Sequence, residues 1–218
     1  MMFVSTCFVV HAKEISINLN GFVIYVDAGH GGNDNGAHNG DVLEDSINLS
    51  ISKFLIHELV DKGAYVYSSR DGDYDLADKY DKNRKSKDLN NRVSLINNLK
   101  PDLFISLHLN TFQSTNVKGG QVFFQDNEDS KEFADILQEK FNELSGKNKV
   151  AKLGEYFLLE KADSIGVIVE CGFLTNEEDL RSLVKEEYQY KISKLITKSI
   201  FEYFTKKTWY NMDGDFNE

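Results

Sequence analysis

The sequence predicts an α/β fold: a single domain with a mostly parallel central sheet and helices on both faces. Three observations predict it. Short apolar, β-branched or aromatic runs alternate with longer stretches in which apolar residues recur at helical spacing. The runs are continuously apolar, as in parallel strands covered on both sides. No internal repeat or linker divides the 218 residues, a length that one core can fill.

The elements follow in order. "FVIYV" (Phe22–Val26) reads as a buried strand. Ile47, Ile51, Phe54, Leu55 and Leu59 mark a helix that stops at Lys62-Gly63, a cation followed by a C-terminal glycine. "AYVYSS" (Ala64–Ser69) is a second strand, and the polar stretch from Arg70 to Asp88 reads as a surface loop. Leu89, Val93, Ile96 and Leu99 mark a second helix, stopped before Pro101. "LFISLHL" (Leu103–Leu109) and "GQVFFQ" (Gly120–Gln125) are strands. Phe133, Ile136, Leu137, Phe141 and Leu144 stripe a third helix. "EYFLLE" (Glu155–Glu160) and "IGVIVE" (Ile165–Glu170) read as two further strands, and Tyr190–Phe204 as a closing helix. The last residues read as a frayed tail, 206–218.

Composition narrows the function. Hydrophobic residues make up 41% and charged residues 28%, as in an ordered soluble domain. A formal net charge of −10 argues against a nucleic-acid partner, because gripping phosphate needs clustered cations. Cys7 and Cys171 are far apart and form neither a metal-type pair nor a disulfide framework. Met1–Val10 is nearly all apolar, and Val10-His11-Ala12 fits a small-x-small cleavage pattern. Residues 1–12 therefore read as a secretory signal, too short for a stable transmembrane span, with a buried first strand as the alternative. The folded domain is expected over 13–205.

Parallel strands deliver side chains to the crevice at their carboxyl ends. Three of the expected strands end in residues suited to metal or acid–base chemistry. The first runs into Asp27-Ala28-Gly29-His30, the third carries His108 followed by Asn110, and the last ends in Glu170. A buried imidazole needs partners, and a carboxylate closing a Val/Ile run is costly unless paired or bound to a metal. Glycines beside His30 give the backbone freedom to turn and leave room for a ligand. Two histidines and a carboxylate from separate elements suit a catalytic zinc site, with three protein ligands and one open position. A dinucleotide reading of "GHGGND" fails because Asp34 stands where G-x-G-x-x-G needs its third glycine. His11, His38 and His57 compete weakly, lying in the signal, a loop and a helix.

"VDAGHGGNDNGA", "LEDSINL", "ISLHLN" and "VIVECGFLTN" together resemble, in this order, four motifs of the zinc-dependent N-acetylmuramoyl-L-alanine amidases. The likeness spans about Phe22 to Phe204. It implies that His30, Glu44 and His108 hold Zn²⁺ and that Glu170 is the catalytic glutamate. The residues alone do not separate the roles of Glu44 and Glu170. The implied reaction cleaves the amide between muramic acid and L-Ala of peptidoglycan. "RKSKDLNNR" further resembles the sporulation-specific amidases of spore cortex, which strip stem peptides so that muramic-δ-lactam can form. That likeness implies export to the cell wall or the forespore intermembrane space, and an activator or accessory protein as a partner to test. Ala28 and Leu109 stand where this family usually has Pro and a small residue, and Cys171 where Leu is usual. The alternatives are a zinc peptidase acting within the stem peptide and a non-catalytic wall-binding or regulatory protein. Asp27 is expected either to orient a ligand imidazole or to make a turn contact, Asn110 to touch substrate or cap its loop, and Arg92 to form a surface salt bridge. Lys79, Lys82, Arg84, Lys85 and Lys87 form a local basic patch.

Overall fold

A computed structural model describes residues 18–214, so the expected signal lies outside the described residues. The elements are β1 (Val23–Ala28), β2 (His38–Asn39), β3 (Val42–Leu43), α1 (Glu44–Asp61), β4 (Tyr65–Ser68), α2 (Arg84–Leu99), β5 (Leu103–Asn110) and β6 (Gln121–Phe124), then α3 (Glu128–Ser145), β7 (Lys152–Leu153), α4 (Phe157–Lys161), β8 (Gly166–Phe173), α5 (Glu177–Leu183) and α6 (Glu186–Gly214). Six strands form the central sheet in the order β4-β1-β5-β8-β6-β7. The first four are mutually parallel, and β6 pairs antiparallel with β8. The expected architecture is the one found.

Three expectations change in detail. "EYFLLE" is a helix, not a strand: α4 places Leu158 and Leu159 against Tyr25, Phe104 and Ile168. A short continuous apolar run fits either element, and here length and periodicity could not arbitrate. The stretch Arg70–Asp88 is only partly a surface loop, because Arg70 is buried and α2 begins at Arg84. The closing helix continues to Gly214, through much of the stretch read as a tail.

The sheet's two faces differ. Strand alternation sends Ile24 and Val26 of β1, Ile105 and Leu107 of β5, and Val167 and Val169 of β8 to one face. There they form a fully buried core with Ile51 and Leu55 of α1, Phe133 and Leu137 of α3, and Ile192, Ile196 and Ile200 of α6. The other face begins apolar, with Tyr25, Phe104 and Ile168 under α2 and α4. Two residues further along each strand it becomes polar: Asp27, Ser106 and Glu170 follow, and His108 stands one step beyond Ser106. The register places Asp27 beside Ser106 and His108 beside Glu170. The carboxyl ends of three neighbouring strands thus build a polar patch under α2, whose own buried residues are Asp88, Arg92 and Ile96.

Candidate metal centre and active site

The chain leaves β1 through Gly29 into His30, which adopts a left-handed backbone conformation (φ +62°) that non-glycine residues seldom take. The β2–β3 hairpin then turns back so that Glu44 opens α1 beside this loop, its backbone N–H bonding to the Ala37 carbonyl. His108 arrives from β5. His30 Nε2 lies 3.3 Å from Glu44 Oε1, and His108 Nδ1 lies 3.0 Å from the same oxygen. One donor atom from each of His30, Glu44 and His108 lies within 4.8 Å of the others, an arrangement able to hold a metal ion. The expected trio therefore converges, although its members are up to 78 residues apart in sequence.

Two glycines leave the space this requires. A Cβ on Gly29 would stand 2.3 Å from the His108 ring. A Cβ on Gly36 would stand 2.5 Å from Glu44 Oε2 and 2.7 Å from the His30 ring. The room expected around His30 also serves the other two donors.

Two of the three donors are oriented by neighbours outside the trio. His30 Nδ1 lies 3.1 Å from Asp34 Oδ2, the carboxylate–imidazole arrangement that fixes a ligating ring. Glu44 Oε2 accepts from the Ala37 N–H (2.7 Å), and Oε1 accepts from the Leu109 N–H (3.0 Å) and Asn48 Nδ2 (3.3 Å). Burial alone would raise the Glu44 carboxyl, but the hydrogen bonds and charge of His108 and His30 outweigh it and hold it well below the usual range. Burial alone would lower His30, yet Glu44 and Asp34 raise it. Glu44 and Asp34 thus favour positive charge at the His30 ring.

Glu170 sits beside His108 on β8, 6% exposed. Its Oε1 lies 3.5 Å from the Tyr156 hydroxyl, and its Oε2 is buried with no hydrogen-bond partner among the described residues. Burial pushes its carboxyl above the usual range; His108 acts against this and the charge of Glu44 adds to it. A carboxyl so placed can exchange a proton with a molecule bound at the metal position. A cavity of about 150 Å³ adjoins His30 and His108, walled by Leu89, Tyr156, Leu158 and Ile168, with Lys85 at its rim.

The remaining residues fall out differently. Asp27 orients no imidazole and makes no turn contact: its carboxylate accepts from Arg92 and from the Ser106 hydroxyl (2.6 Å). Arg92 is not a surface residue but 2% exposed, bonded to Asp27, Asp88 and the carbonyls of Ala28 and His30. The signal was present, since Arg92 lies three residues after Leu89 and four before Ile96, on the buried stripe of α2. Asn110 caps its own loop, its side chain accepting from the Thr111 N–H. His38 and His57 are exposed and apart from the trio. Of the basic patch, Arg84 pairs with Asp75 and Lys85 lies 3.6 Å from Asp34. Asp34, Asn48, Arg70 and Tyr156 carried no signal in the sequence, because their partners are set by the fold.

The described part of the molecule has no helix long and apolar enough to cross a membrane. Comparison with known proteins agrees with the geometry. The chain is 35% identical over 201 residues to the germination-specific N-acetylmuramoyl-L-alanine amidase of Bacillus subtilis, covering 89% of this chain and 85% of that one. Its fold matches the CwlD amidase of Clostridioides difficile, solved in complex with the GerS lipoprotein, with a TM-score of 0.81, 32% identity and coverage of 84% and 98%. An N-acetylmuramoyl-L-alanine amidase of Clostridium difficile 630 matches with a TM-score of 0.77, 26% identity and coverage of 86% and 99%. The profile of the N-acetylmuramoyl-L-alanine amidases (Amidase_3) matches residues 24–202, and the chain belongs to this hydrolytic enzyme family.

Proposed function

We propose that the protein is a zinc-dependent amidase that cleaves the bond between the lactyl group of muramic acid and L-Ala in peptidoglycan, with His30, Glu44 and His108 as the zinc ligands and Glu170 as general base and acid. The observation that carries this reading is the convergence of three donor atoms beside a buried carboxylate oxygen that has no hydrogen-bond partner among the described residues. Two imidazoles and one carboxylate are a donor set that suits zinc. Zinc bound there supplies a Lewis acid that acidifies water and stabilises negative charge on a carbonyl oxygen.

The chain's own groups do the rest. Glu170 takes a proton from the attacking water as its oxygen bonds to the lactyl carbonyl carbon. It returns that proton to the alanine nitrogen as the C–N bond breaks. Asp34 holds the His30 ring through Nδ1, leaving Nε2 to face the metal position. The apolar walls formed by Leu89, Leu158 and Ile168 limit the water available beside the reacting carbonyl.

The likeness to the germination-specific relative supports a place in spore cortex, where stem removal precedes muramic-δ-lactam formation. This implies action outside the cytoplasm, in the wall or the forespore intermembrane space, with residues 1–12 as the export signal. The lipoprotein bound to the Clostridioides difficile relative supports an accessory partner for this chain as well. Mass spectrometry of muropeptides from peptidoglycan digested with the purified chain tests the reaction. Free muramic carboxyls and intact stems beginning with L-Ala are expected. Shortened stems on intact muramoyl-Ala bonds would instead identify a peptidase.

A further inference from the structure

We infer that Arg70 and Arg92 are positioning residues for the cation site, clamping three consecutive backbone carbonyls of the loop that presents His30; this rests on the metal reading above. The Ala28 carbonyl accepts from Arg70 Nε (2.9 Å) and Arg92 Nη1 (2.8 Å). The Gly29 carbonyl accepts from Arg70 Nη2 (3.0 Å), and the His30 carbonyl from Arg92 Nη2 (2.7 Å). Arg70 and Arg92 are among the largest fully buried side chains, 1% and 2% exposed.

Such burial needs a reason. Arg92 is balanced by Asp27 and Asp88. Arg70 makes no ion pair among the described residues; its bonds go to the carbonyls of Ala28, Gly29, Asp45 and Gly72. An arginine whose donors all go to backbone carbonyls acts through shape, because its planar fork fixes the direction of each bond. The carbonyls it holds are those that define the left-handed turn at His30. The bond to Asp45 also ties this loop to the residue after Glu44. One guanidinium thus couples the positions of two of the three donor side chains. The other ties the third carbonyl to α2.

A lysine keeps the charge but not the fork, so it cannot hold several carbonyls in one plane. Zinc affinity of the full chain, measured by competition with a chromogenic chelator, tests the clamp, with thermal melts of the zinc-free proteins alongside. R92K and R70K are expected to bind Zn²⁺ about 10–100-fold more weakly, the usual cost of losing an outer partner of a metal ligand. D88N removes the charge that holds Arg92 Nε, leaves Asp27 and the loop in place and should weaken binding in the same direction, so it decides the matter if the lysine variants do not fold. I96V, a core change one turn along α2, should bind as the parent does. Parental affinity in folded R92K, R70K and D88N, or an equal loss in I96V, overturns the inference. If the parent itself binds no zinc, the metal reading falls first.

Discussion

The two faces of the central sheet meet the same strands in opposite ways. On the face covered by α1, α3 and α6, every inward residue along β1, β5 and β8 is apolar to the carboxyl end: Ile24, Val26 and Ala28, then Ile105, Leu107 and Leu109, then Val167, Val169 and Cys171. On the α2 and α4 face the rows run Tyr25–Asp27, Phe104–Ser106–His108 and Ile168–Glu170. One face stabilises through area removed from water. The other gives up that area over its last few residues for charges that must be paired, and Arg92, Asp88 and Asp27 are the pairing. Function is thus built into one side of strands whose other side holds the fold, so neighbouring residues on a single strand should respond to substitution in unlike ways.

The sharpest contrast lies between adjacent residues of β8. Glu170→Gln should lower kcat/KM by about 10²–10⁴-fold, with zinc content and melting temperature little changed. Val169→Ala, pointing the other way, should lower stability by about 1–3 kcal/mol while leaving the activity of the folded fraction intact. Kinetics and denaturant titrations on both variants would decide. Comparable activity losses in the two would erase the distinction between the faces.

On β1 the comparison inverts, because the polar face there also carries stability. Asp27→Ala leaves Arg92 buried and short of one partner, and breaking such a pair costs about 3–5 kcal/mol. Ile24→Val, on the apolar face of the same strand, should cost about 0.5–1.5 kcal/mol. Urea midpoints would measure both, and an Asp27→Ala loss no larger than that of Ile24→Val would mean that the pair is not what makes this face tolerable. A weaker effect is expected at Asp34, which lies off the sheet and whose carboxylate meets the His30 ring, the Gly36 N–H and Lys85. Asp34→Ala should reduce zinc affinity by about 10–100-fold while costing the zinc-free protein no more than the Gly36 hydrogen bond, about 0.5–1.5 kcal/mol. Chelator competition would reveal it, and unchanged affinity would remove Asp34 from the site.

Much of this difference between the faces is legible in the sequence. The strands stand out because they are continuously apolar, and His30, His108 and Glu170 because each interrupts or ends such a run. Glu44 does not stand out: it opens a helix among other acidic residues, and only the likeness to a family assigns it a role. Arg92 could have been found, since it sits in phase with Leu89 and Ile96, but an arginine on a polar helix reads first as solvated. Arg70 could not, because nothing in "SSRDGD" indicates that four carbonyls converge on it. Alternation and apolar runs report burial, whereas hydrogen-bond partners far apart in sequence are fixed only when the chain has folded. "EYFLLE" failed for a related reason: packing against Tyr25, Phe104 and Ile168, not its own pattern, decides that it is helical.

The smallest effect expected is a pH dependence on the polar face. Burial alone would raise the Asp27 carboxyl, but Arg92 and the hydroxyls of Ser106 and Ser69 outweigh it and hold it below the usual carboxylate range. A carboxyl depressed in the folded state contributes stability that is complete above its unfolded value of about 3.9 and is lost as pH falls through the folded value. Asp27→Asn has no such titration and keeps Arg92 paired with Asp88. The stability advantage of the parent over Asp27→Asn should therefore hold steady from neutral pH down to about pH 5 and shrink below about pH 4. No residue on the opposite face of β1 titrates, so Ile24→Val should show a constant difference across the same range. Denaturant midpoints at matched pH values measure both differences. If the Asp27→Asn difference stays constant into the acid range, the Asp27–Arg92 bond is not what depresses the carboxyl, and the pairing proposed for this face does not hold.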